Sequence, residues 1–172
     1  MPTGWNDNGR FGRLIHAVGL ILIMNAGTEW FSHRFLIGHD QQTVTCLQGS
    51  PRWFLIDREH ARPEIGDLLA FRADARMAPE IPEGTLIVKR IEAEAGDTIE
   101  IGRSSLRIQD HEVGLPFPHR SRLGNRTLSA GSRFRLPDHS YFVLGDHPRS
   151  LDSRYYGEIH SEQVIGLARV LF

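Results

Sequence analysis

The chain has 172 residues, 40% hydrophobic and 24% charged, with a formal net charge of −1. That is enough mass for one domain with a real core, and the balanced charge gives no whole-chain field to hold nucleic acid. One cysteine, Cys46, excludes an internal disulfide framework and a multi-cysteine metal site, and the nine histidines are scattered without zinc-type spacing, so no metal or cofactor is expected.

In chain order, residues 1–10 read as a polar N-terminal tail. Residues 11–32 read as an apolar helix, with Arg10 and Arg13 on its N-terminal flank and Asn25, Thr28 and Glu29 diluting its second half. Three readings are open: a single membrane anchor, a cleaved signal peptide, and a buried core helix. The anchor is preferred, because no Ala-x-Ala site follows the apolar run. The flanking arginines would then keep the N-terminus cytoplasmic and place residues 33–172 in the periplasm.

After His33 the helical period fades and short β-branched or aromatic runs take over. The expected strands are Thr43–Leu47, Trp53–Ile56, Asp67–Phe71, Thr85–Ile91, Thr98–Ile101, Ser105–Ile108, Arg133–Leu136, Tyr141–Leu144 and Val164–Leu171. Gly and Pro mark the breaks, as at Pro63 with Gly66, Pro82 with Gly84, Gly96-Asp97 and Gly145-Asp146. The fold class is therefore mostly β, one domain after one N-terminal helix.

Of the 20 basic residues only Lys89 is a lysine. Arg cannot give up its proton at accessible pH, whereas a desolvated Lys can, which makes Lys89 a candidate general base. It lies between Val88 and Ile91 in an expected strand, where its side chain can point into an apolar wall. The loop Gly145-Asp-His-Pro-Arg-Ser150-Leu-Asp152-Ser-Arg154-Tyr-Tyr-Gly157 is rich in groups able to satisfy one another as a fixed hydrogen-bonded cluster. Upstream, Thr45-Cys46-Leu-Gln-Gly-Ser50-Pro51 holds two possible nucleophiles. Glu92 and Glu94 read as solvated surface charges, and Asp146 as a turn residue.

Lys89-Arg90-Ile with Gly96-Asp97 resembles the lysine box of signal peptidase I enzymes. Gly145-Asp146 with Ser150-x-Asp152-Ser-Arg154-Tyr-Tyr-Gly157 resembles their C-terminal box, and His147-Pro-Arg149 looks more like the TraF/TrhF conjugative branch. The similarity runs from about residue 42 to the end, in family order. It implies a signal-peptidase-like antiparallel β-sheet or barrel behind a membrane anchor. It also implies a Ser/Lys dyad that needs no metal, with the Ser hydroxyl attacking the scissile carbonyl and the Lys amine taking its proton.

The resemblance makes Ser150 the residue that orients the Lys amine and makes Asp152 and Arg154 a buried structural pair. The serine box departs from the pattern. Gly49-Ser50-Pro51 keeps the Gly-Ser start without the following hydrophobe, while Cys46-Leu47 keeps the hydrophobe with a thiol in the nucleophile's place. Ser50 is the preferred nucleophile and Cys46 the alternative; a degenerate site is the third possibility.

The implied activity is cleavage or cyclisation of a pilin or other exported precursor, at the inner membrane, beside other proteins of a conjugation machine. Two other functions stay open. One is a catalytically inactive assembly protein of a secretion or pilus machine; the other is a soluble β-barrel binding module.

Overall fold

The computed structural model describes residues 7–40, 46–49, 51–59, 62–102, 105–113 and 131–172. Helix α1 runs Asp7–Arg34, beginning before the expected Phe11 and ending beyond Ser32. His33 and Arg34 in its last turn complement the helix dipole, which favours the extra length at the C-terminal end. The stretch Phe11–Arg34 is long and apolar enough to cross a membrane, and none of it is buried against the rest of the chain. This overturns the core-helix reading. Its 24 residues rise about 36 Å, against roughly 30 Å of hydrocarbon. Two hydroxyls inside it are satisfied locally: Thr28 Oγ1 donates to the Met24 carbonyl at 2.8 Å and Ser32 Oγ to that of Glu29 at 2.9 Å.

Strand β1 (Phe35–His39) follows α1 without a loop and pairs with β2 (Trp53–Asp57). Arg34 donates to both Asp57 oxygens, at 3.3 and 3.1 Å, and the Phe31 and Phe35 rings pack 5.1 Å apart, so the helix end is tied to the sheet. The sheet continues with β3 (Leu68–Arg72) and β4 (Leu86–Glu94). A second sheet holds β5 (Thr98–Ile101), β6 (Leu106–Ile108), β7 (His111–Val113) and β8 (Arg133–Arg135). The chain then returns through β9 (Ser140–Leu144), the one-turn helix α2 (Ser153–Tyr156), β10 (Ile159–His160) and β11 (Val164–Val170).

The larger sheet has the order β1-β2-β11-β3-β4-β9-β10 and the smaller one β7-β6-β5-β8, and every pairing is antiparallel. The fold is mostly β, as expected, in an open sheet order. The last strand, β11, lies between β2 and β3. Its bulge at Val164/Gly166 brings Gly166 so close to the Asp57 carbonyl that a Cβ there would collide with β2.

The expected strand Thr43–Leu47 is corrected in part. Residues 43–45 lie outside the described residues, while Cys46 and Leu47 form a bend, because Leu47 turns inward to pack with Phe54, Ile56, Ala70 and Ala168. Strands β1, β7 and β10 were not foreseen; they are short, and their local pattern is weak.

Strand β4 positions the site. Along it Ile87 and Ile91 pack into a core with Leu69, Phe71, Met77, Val143, Tyr156 and Ile159, while Leu86 and Val88 pack into another with Phe54, Ile56 and Ala70. Strand alternation therefore puts Lys89 on the Ile87–Ile91 face.

Candidate active site

Lys89 is held from both sides in the sheet. It stands opposite Leu69 of β3, and its neighbour Arg90 stands opposite Leu144 of β9. Its side chain is only 4% exposed. From there Lys89 Nζ donates to Ser150 Oγ at 2.9 Å. Ser150 is fully buried, and its own N–H is fixed to the His147 carbonyl at 2.9 Å.

The loop after β9 that carries Ser150 is stiffened from within. Asp152 and Arg154 are fully buried, and the guanidinium grips both carboxylate oxygens, Nε to Oδ1 at 2.7 Å and Nη2 to Oδ2 at 2.7 Å. The same carboxylate caps α2 by accepting from the Arg154 amide at 3.3 Å, and accepts from the Gly145 amide at 3.0 Å. Arg154 Nη2 also reaches the Ser150 carbonyl at 3.3 Å, and Ser153 Oγ accepts from the Val143 amide at 3.0 Å. Burial works against the charge on Arg154, but the hydrogen bonds and negative charge of Asp152 outweigh it and hold the guanidinium above its ordinary value. The pair thus ties the end of β9 to the start of α2, and Ser150 is slung between them.

Cys46 lies against this loop. Its carbonyl accepts from the His147 amide at 3.1 Å. Two residues on, the Gln48 amide donates to Asp146 Oδ2 at 2.6 Å, and Asp146 Oδ1 faces Arg90 Nε at 3.6 Å. The two segments cross at Gly145: a Cβ there would lie 2.7 Å from Ser150 Cβ and 3.0 Å from the Cys46 carbonyl oxygen. Only glycine fits. Ser50, the preferred nucleophile from sequence, lies outside the described residues.

Three features of the site escaped the sequence reading. Asp146 is more than a turn residue, since it clamps the Cys46 segment through Gln48. Glu92 is half-buried rather than solvated. Burial pushes its carboxyl above the ordinary value, Arg90 opposes this, and Asp146 adds to it. Tyr156, 6% exposed, packs against Phe71 with ring centroids 6.5 Å apart, and its hydroxyl has no hydrogen-bond partner among the described residues. Among the described residues no cluster of His, Cys, Asp and Glu could hold a metal ion.

A buried lysine amine on a serine hydroxyl, on an interior strand of an antiparallel sheet that follows an apolar helix, can be set beside known proteins. The family model for signal peptidase, peptidase S26, matches residues 12–172. The chain belongs to that family. It is 27% identical over 100 residues to signal peptidase I V of Bacillus subtilis strain 168, a match that spans 50% of this chain and 57% of that relative's length. Among solved structures, a signal peptidase I of Enterococcus faecalis V583 is similar at 27% identity, covering 62% of this chain and 97% of that one, with a TM-score of 0.41. The chain is thus a signal-peptidase-I-like protein, and its apolar helix is consistent with a membrane anchor.

Proposed function

We propose that the protein is a membrane-anchored peptidase of the signal peptidase I type that uses Lys89 as general base on an exported precursor. The observation that carries the reading is the Lys89 amine, buried and hydrogen-bonded at 2.9 Å to Ser150, in a member of the S26 family. A Lys amine can accept a proton in its neutral form and an Arg at the same place cannot. Ser150 would fix the direction of the amine lone pair, and the Asp152–Arg154 pair would hold Ser150.

The nucleophile would come from the segment of residues 46–51, which contains both Cys46 and Ser50. Attack forms an acyl-enzyme and releases the downstream chain as an amine; water, or an amine in a cyclisation, then takes the acyl group. The proposed placement is a single pass through the inner membrane by α1, with the β domain periplasmic, which brings the site to the membrane face where precursors emerge. The His147-Pro148-Arg149 sequence supports a substrate of the conjugative-pilin kind.

The test uses the full chain in detergent micelles against a panel of precursor peptides, pilin-like ones included. Lys89→Arg is expected to lower turnover by at least about 1,000-fold, the size of effect seen when a base essential to covalent catalysis is lost, without altering the thermal midpoint. Wild-type turnover in that variant would remove Lys89 from the mechanism. Inactivity of the wild type toward every precursor would favour the assembly-protein function instead.

A further inference from the structure

We infer that Cys46 is the nucleophile that Lys89 serves, so that the site works as a cysteine/lysine peptidase. The inference rests on the peptidase reading above and names the attacking atom within it. The first support is how the Cys46 peptide is held. Its carbonyl is bound by the His147 amide at 3.1 Å, the next side chain, Leu47, is 8% exposed in the core, and the Gln48 amide is bound by Asp146 at 2.6 Å. Three successive residues are thus pinned to the core and to the loop that carries Ser150. Cys46 itself stays half-buried rather than sealed in. A nucleophile needs this combination of fixed backbone and accessible side chain.

The second support is convergence on Gly145. Its missing side chain lets the Ser150 side chain and the Cys46 carbonyl meet over one Cα, and Lys89 Nζ is 2.9 Å from Ser150 Oγ. The base and the Cys46 peptide therefore share one small space, reached from β4 and from the segment before β2.

The third support is independent of both. Tyr156 keeps a buried hydroxyl with no hydrogen-bond partner among the described residues. Burial, then the charges of Asp152 and Cys46, push this phenol well above its ordinary value, so it remains a neutral donor. An orphaned donor is costly in a folded interior. A thiolate at Cys46, or the oxyanion that forms when it attacks, would give that donor a partner.

The chemistry balances. The Lys89 amine takes the thiol proton as sulfur bonds to the scissile carbonyl carbon, and the carbonyl π pair moves to oxygen. Collapse of that oxyanion breaks the C–N bond, and the departing amine receives the proton from the Lys89 ammonium. Water then attacks the thioester and gives a proton to Lys89. The C–S bond breaks, and the thiolate recovers that proton.

The experiment uses the full chain in detergent with iodoacetamide as probe, followed by mass spectrometry of the intact protein and by precursor cleavage. Expected are a single adduct on Cys46, loss of cleavage in proportion to it, and an alkylation rate near neutral pH that drops about tenfold or more in Lys89→Met and also falls in Tyr156→Phe. Cys46→Ala should fold with an unchanged thermal midpoint, form no acyl-enzyme, and lose at least about 1,000-fold in turnover. Should Cys46→Ala still form the acyl-enzyme, or the alkylated wild type still cleave, the inference is overturned. An acyl group from the precursor mapped to Ser50 in those cases leaves the peptidase reading standing. Lys89-dependent alkylation without cleavage of any precursor would keep the Cys46–Lys89 couple and overturn the peptidase reading. Equal alkylation rates in the wild type and Lys89→Met would overturn the couple itself.

Discussion

Replacing Asp152 by alanine isolates the support of the site from its chemistry. The Arg154 guanidinium is fully buried and holds Asp152 by two hydrogen bonds of 2.7 Å. Without the carboxylate a positive charge stays in the interior, which typically costs about 3–5 kcal/mol. The Gly145 amide loses its 3.0 Å acceptor as well, an orphaned donor worth about 1–3 kcal/mol. The two losses belong to one network and do not simply add. We expect a destabilisation of about 4 kcal/mol, a large share of the roughly 5–15 kcal/mol that holds a domain of this size. Guanidinium unfolding of the full chain in nonionic micelles, followed by the circular dichroism of the sheet, gives the difference from wild type.

The double variant Asp152→Asn with Arg154→Met should lose less than Asp152→Ala alone, because no charge is then left buried. A loss below about 1 kcal/mol for the single variant would refute the reasoning, since the pair would then behave like a solvated one. So would a double variant worse than the single.

Two further outcomes follow from the same geometry. Gly145→Ala should destabilise by about 1–3 kcal/mol through overpacking and should also abolish precursor cleavage, because the new methyl pushes Ser150 away from Lys89; unchanged stability and turnover would mean that the crossing at Gly145 is looser than described. Glu92 has a raised carboxyl, so the folded state binds its proton more readily than the unfolded chain, and stability falls as pH rises from the ordinary glutamate range through the folded value. Glu92→Gln should therefore be the more stable protein at neutral pH, with its advantage vanishing in acid below the ordinary glutamate value of about 4.3; thermal midpoints that differ equally at both pH values would contradict this.

The parts of the protein that were legible in the sequence are those governed by local physics. The strands at Trp53–Ile56 and Tyr141–Leu144 show in their β-branched and aromatic content, and Gly96-Asp97 shows as the turn between β4 and β5. The apolar run of α1 shows in hydropathy, and Lys89 shows because the chain uses arginine everywhere else. Each is a property of a few adjacent residues. The site, by contrast, joins residues far apart in the chain: Lys89 and Ser150 are separated by 61 positions, Gln48 and Asp146 by 98. Those meetings depend on strand order, with β11 inserted between β2 and β3 and β9 laid against β4, and periodicity within a strand says nothing about which strand lies beside it. The same holds for burial. Glu92 looked like a surface charge because charge usually seeks water, and Asp146 looked like a turn residue because it follows Gly145. Only the packing of the Cys46 segment over the loop after β9 gives Asp146 an amide to hold, and only the tertiary structure covers Glu92.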